Sequence, residues 1–152
     1  MIRADLPTGD RIVRYVKPSM IQEDGTVDGS DFRLRSARPD ETGLSVNWLE
    51  AFGLGKNHQL GEVRRLFRLR LKPNGRFAEM NVGTVIREVA KELDTLRLVH
   101  DPLEATEGFD ADPSHAEIIG LPPGNSDQAA LVGDLIAECV ISTHPAIIEH
   151  DG

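Results

Sequence analysis

Histidines and carboxylates crowd one stretch of this chain: His100-Asp101-Pro102, then Asp110, Asp112-Pro113, then His115 and Glu117. Imidazole nitrogen and carboxylate oxygen are ligands for divalent metals, so His100, Asp101, Asp112 and His115 are candidates to hold an ion that activates water. Their spacing matches no established ligand motif such as His-Glu-x-x-His. The plainer alternative is that the Asp-Pro pairs start turns, the acids coat a solvent loop, and each histidine makes one hydrogen bond. His115 and Glu117 share a face if their run is a strand, because side chains alternate there with a period of two. His58, His144 and His150 lie in polar or terminal stretches, are expected to be exposed, and receive no role. The single cysteine, Cys139, follows Leu135 and Ile136 at the spacing of a buried helical stripe, which suits a packed thiol better than a nucleophile.

The elements that would position these groups follow from periodicity. Residues 11–16 form a short β-prone run stopped by Lys17-Pro18, since proline removes a donor and restricts the residue before it. Asp24-Gly25 and Asp28-Gly29 mark residues 22–31 as a loop or irregular hairpin. Residues 43–48 alternate, with Leu44, Val46 and Trp48 on one face and Ser45 and Asn47 on the other. A helix is expected from about Leu60, turning extended near Leu69, with Pro73-Asn74-Gly75 leading into a strand over 77–82. Val85, Ile86, Val89 and Leu93 give a second amphipathic helix opened by Gly83-Thr84, and a strand follows over 96–99. Residues 115–121 are extended and closed by Pro122-Pro123-Gly124. Asn125 or Ser126 then caps a helix carrying Leu131, Val132, Leu135, Ile136, Cys139 and Val140. The interleaving predicts an α+β, or mixed α/β, single domain over 1–152. Its expected form is a mixed sheet of about five short strands with two or three helices packed on it, and residues 143–152 a tail that either docks or hangs flexible.

Arg14 in the first strand, Ser45 in the second, and Glu117 within His115-Ala116-Glu117-Ile118-Ile119 resemble, in order and type, the Arg-Ser-Glu class of ADP-ribosyltransferases. The resemblance implies that Arg14 and Ser45 hold a nicotinamide dinucleotide and that Glu117 polarises the ribose at the bond to be broken. Such chemistry needs a cation for the pyrophosphate and a carboxylate for the developing oxocarbenium charge. Leu44-Ser45-Val46 departs from that family's Ser-Thr-Ser, and His115 stands where Glu or Gln is usual. On the structural alternative, Arg14 is an edge-strand charge, Ser45 a polar-face residue and Glu117 one more solvated acid. The chain also resembles small uncharacterised bacterial proteins. Asp24-Gly25, Phe32, Gly43-Leu44-Ser45-Val46, Asp101-Pro102 and Pro113-Ser114-His115-Ala116 carry that second resemblance, which implies a pocket shared by Ser45 and His115 and no particular activity.

Charge is segregated along the chain. Residues 1–97 carry 17 bases against 14 acids, a net of +3, whereas residues 98–152 carry eleven acids and no base. Unless folding interleaves the halves, the protein is two-faced, and the leading expectation is a small acidic accessory protein whose C-terminal half meets a basic protein partner. An NAD-using transferase and a divalent-metal protein are the alternatives, and no cofactor is assigned. The net charge of −8 opposes nonspecific nucleic-acid binding. The basic run Arg64, Arg65, Arg68, Arg70, Lys72 and Arg76 is expected to pair with the protein's own acids rather than with phosphates. No apolar stretch approaches the roughly 18–20 residues of a membrane span, and no signal region opens the chain, so a soluble cytoplasmic protein is expected.

Overall fold

Alternation in Arg11–Val16 (β1) and Gly43–Trp48 (β2) builds the centre of an entirely antiparallel, six-stranded sheet. The computed structural model describes residues 3–35, 40–53 and 55–148. After β2 come helix α1 (Lys56–Leu66), β3 (Arg76–Asn81), helix α2 (Val82–Val89), β4 (Arg97–His100), β5 (His115–Ile119), helix α3 (Asp127–Glu138) and β6 (Ser142–Pro145). The strand order is β4-β5-β2-β1-β3-β6. The single α+β domain expected from periodicity is what forms, and among the described residues there is no parallel pair and one strand more than expected.

The extra strand is β6, which pairs with β3 from Arg76↔Pro145 to Glu79↔Ser142. Ala146 is fully buried and donates its amide to the Gly75 carbonyl. Of the two alternatives for the tail, residues 143–146 dock, as part of the sheet and its packing; residues 149–152, His150 among them, lie outside the described residues. The start of α1 also differs. It begins at Lys56, ahead of the apolar stripe, and Gln59 in its first turns is buried through hydrogen bonds to Gly53 and Arg11. The segment after Phe67 does not join the sheet, and Leu69 is left exposed. Caps follow sequence more closely. Ser126 accepts the Ala129 amide at the start of α3, and α2 opens at Val82, one residue before Gly83-Thr84, with Asn81 accepting the Thr84 amide.

Two cores flank the sheet. On one face Ile12, Val16, Leu44, Val46, Met80, Ala116 and Ile118 pack against Phe32, α2 and α3, each large side chain contributing on the order of 1.5–3 kcal/mol by burial. Cys139 belongs to this core, and burial pushes its thiol above the ordinary value, as befits a packed residue. On the other face Val13 and Phe77 meet Leu60 and Val63 of α1, with Tyr15 and Phe67 stacked edge-on beside them. That second core extends over β1 and β3 only, which leaves the same face of β2 and β5 free of a covering helix.

The acidic half is woven into the basic one. β5 lies between β4 and β2, and β6 lies against β3. Arg65 pairs with Asp110 at 3.2 Å, Arg68 donates to the Glu104 and Asp110 carbonyls, Arg64 donates to the Pro145 carbonyl, and Arg76 to Thr143. Charge that is segregated in sequence is thus interleaved in space. Among the described residues no helix is long and apolar enough to cross a membrane.

Candidate functional site

β1 pairs with β3 over six residues and β2 with β5 over five, but β1 and β2 share only Ile12↔Trp48 and Val13↔Asn47. Beyond those pairs the two central strands part. Arg14 fills the gap: its Nη1 donates to the Ser45 carbonyl at 2.8 Å, and its Nε to the Asp31 carboxylate at 3.1 Å. Burial raises the Asp31 pKa even though Arg14 opposes the rise. The parting opens a cleft of about 570 Å³, within the range of small-molecule sites.

Arg14, Ser45 and His115 line this cleft. Glu117 reaches its margin by lying over Gly43, another lining residue, where a Cβ would collide with Glu117 Oε2. The register explains the grouping: Ser45 pairs with Glu117 and Asn47 with His115, all on the helix-free face. His115 Nε2 lies 3.2 Å from Ser45 Oγ, and its Nδ1 lies 2.8 Å from the Asp101 carbonyl and 3.4 Å from the Asp101 carboxylate. Arg3 Nη1 donates to Glu117 at 3.0 Å. Burial raises the Glu117 pKa, the neighbouring Asp101 carboxyl raises it further, and Arg3 and His115 only partly offset this. Arg14 differs from the expectation in one respect. Its guanidinium grips the backbone of Ser45 and faces Phe32, so it shapes the cleft from the side opposite to the Ser45 hydroxyl.

No protein-family model, curated protein or solved structure matches this chain.

The metal candidates do not converge. His100 Nε2 donates to the Pro113 carbonyl, and its ring meets Trp48 edge-on. Asp112 is buried and accepts from the Ser114 amide and hydroxyl and from Asn47. His115 and Asp101 bind each other. Among the described residues no three His, Cys, Asp or Glu side chains are placed to hold a metal ion. The dense ligand chemistry of that stretch instead fastens the 101–113 loop to β2 and β5.

Sequence reasoning missed the arginines. Among the described residues, two buried side-chain polar atoms lack a hydrogen-bond partner, Arg33 Nε and Arg68 Nε, and both residues line the cleft. Lys17 and Arg35 also line it, so five cations meet three acids there, Asp31, Glu41 and Asp112, in a chain whose net charge is −8. Tyr15, Phe67, Leu69 and Leu103 supply the apolar wall. Arg68 was visible only as one member of a basic run, and nothing local distinguishes Arg33. His144 was also misjudged. It is partly buried, with Nε2 2.8 Å from Glu79.

Proposed function

We propose that the cleft binds a nicotinamide dinucleotide as substrate and that the protein cleaves its ribose–nicotinamide bond as an ADP-ribosyltransferase-like enzyme. The observation that carries this is the pairing of Ser45 with Glu117 across adjacent strands, on an open sheet face, at the margin of a cleft rimmed by arginines. Buried guanidinium donors without partners are costly unless an acceptor meets them, and a pyrophosphate offers acceptors of the right charge. The aromatic wall of Tyr15 and Phe67 suits a planar base.

Cleavage leaves positive charge on the ribosyl carbon while nicotinamide departs neutral with the bonding electron pair. A carboxylate fixed beside that carbon stabilises the transition state more than the ground state. Glu117 suits this task because Arg3 and the strand register fix its position. Its raised pKa requires that activity fall toward acid at a pH above an ordinary glutamate's 4.5. The expectation of a basic protein partner has lost the segregated charge that carried it, since the two halves interleave. The test is nicotinamide release from NAD, followed by chromatography. Glu117→Gln should lower turnover by about 10²–10³-fold while ADP-ribose still raises the unfolding temperature. Undiminished turnover in that variant would refute the assignment.

A further inference from the structure

We infer that the second substrate is an oxygen nucleophile, a hydroxyl group whose proton is taken by His115; this rests on the dinucleotide-cleaving function proposed above. The argument starts from donor and acceptor capacity. The Asp101 carbonyl can only accept, so at 2.8 Å from it His115 Nδ1 must carry the hydrogen. The other nitrogen, Nε2, then presents a lone pair, and the group it faces is a hydroxyl, Ser45 Oγ at 3.2 Å. Asp101 stands behind the ring and also anchors the strand that carries it. The Asp101 carboxylate lies 3.4 Å from Nδ1, where it stabilises the imidazolium formed on proton uptake, and the Asp101 amide donates to the His115 carbonyl at 2.9 Å. A base with a fixed tautomer, an oriented lone pair and a carboxylate behind it is built to take a proton from an O–H group.

Its position suits the second step of the same reaction. His115 and Glu117 stand two residues apart on one face of β5, roughly 7 Å along the strand, so one substrate carbon can lie near both. When substrate draws the Ser45 hydroxyl away, Nε2 is left facing the space beside Glu117. In the reaction the ribose C1′–nitrogen bond breaks and its electron pair leaves with neutral nicotinamide. A lone pair of the acceptor oxygen forms the C1′–O bond, and the acceptor proton passes to His115 Nε2 and then to water. A guanidinium acceptor is already a cation and calls for a carboxylate or carboxamide to hold it. His115 Nε2, which meets a hydroxyl in this structure, offers neither.

The experiment offers NAD with methanol as the probe alcohol, with water alone, and with agmatine as the guanidinium probe. Nicotinamide release and the ribosyl products are separated by chromatography. The wild-type protein should form O-methyl-ADP-ribose with methanol, ADP-ribose with water, and no agmatine adduct. His115→Gln, which keeps a hydrogen-bonding side chain of similar size, should reduce methyl transfer and hydrolysis together by about 10²–10⁴-fold, with its unfolding temperature and ADP-ribose binding retained. Asp101→Asn keeps the carbonyl contact and should lose less. An agmatine adduct, or a His115→Gln variant that transfers at the wild-type rate, would overturn the inference while leaving dinucleotide cleavage standing. Absence of nicotinamide release from the wild type in every arm would overturn both.

Discussion

Two glutamates on the same face of the sheet have opposite surroundings. Glu79 on β3 is only 1% exposed, with His144 Nε2 at 2.8 Å, Lys56 Nζ at 3.1 Å and Arg11 Nη1 at 3.6 Å. Burial pushes its pKa up, but the hydrogen bonds from His144 and Lys56 and the charges of Lys56 and Arg11 outweigh burial and hold it below the ordinary value. Glu117 on β5 has one cation, Arg3, and a second carboxyl nearby, and burial leaves its pKa raised. The first is a solved electrostatic problem that ties α1 and β6 to the sheet. The second is an unsolved one at the edge of a cleft. Incomplete compensation of charge, more than acidity itself, separates a structural carboxylate from one available for chemistry.

The contrast can be broken most directly at Glu79. Glu79→Gln leaves Lys56, Arg11 and His144 without their common partner. It should cost about 3 kcal/mol in urea unfolding, the low end for a broken buried pair because Lys56 and Arg11 reach solvent. Nicotinamide release by the fraction still folded should be unchanged. A variant as stable as wild type but inactive would place Glu79, not Glu117, in the chemistry.

The pH dependence of stability should separate the two sites by sign. The folded pKa of Glu79 is depressed, so its contribution is present above the unfolded value and disappears as pH falls through the lower folded value. Glu117 is raised, so its contribution favours the folded state below the unfolded value and is lost as pH rises through the higher folded value. Denaturation curves across pH 3–8, read against the ordinary value near 4.5, should therefore show Glu79→Gln losing most at neutral pH. Glu117→Gln should equal or exceed wild type there and lose that advantage toward acid. Parallel profiles for both variants would erase the distinction.

A smaller effect is expected at Gly43. A Cβ there meets Glu117 Oε2, the movable end of a side chain, and the Ile118 carbonyl at 3.1 Å, which must give by a few tenths of an ångström. Gly43→Ala should cost on the order of 1 kcal/mol in stability yet lower kcat by about tenfold through displacement of the carboxylate. Unaltered kinetics would show that Glu117 need not lie over this glycine.

Much of the architecture was legible because it is local. Arg11–Val16 and Gly43–Trp48 alternate cleanly, Ser126 stands before an apolar stripe, and turn residues mark the strand ends. What stayed hidden depends on distant partners. The parting of β1 from β2 is held by Arg14 reaching Asp31 and Ser45, and no short window of sequence contains all three. β6 was read as tail because Ser142-Thr143-His144-Pro145 lacks an apolar rhythm; its order comes from pairing with β3 and from the Glu79–His144 contact. The structure shows where the candidate residues lie. Ser45, His115 and Glu117 lie together, His100 does not join them, Asp112 lines the cleft but is held by Ser114 and Asn47, and Arg14 acts on a backbone carbonyl where a ligand contact was expected.

The insertion of β5 between β4 and β2 has a consequence for biosynthesis. Ser45 emerges from the ribosome about seventy residues before the strand that pairs with it, so the face that brings Ser45 and Glu117 together is among the last to assemble. A nascent chain that stops short of His115 has neither His115 nor Glu117, and its β2 and β4 have no strand to join them. The proposed site is therefore incomplete until β5 has been made. A chain interrupted before β5 would lack the proposed site altogether.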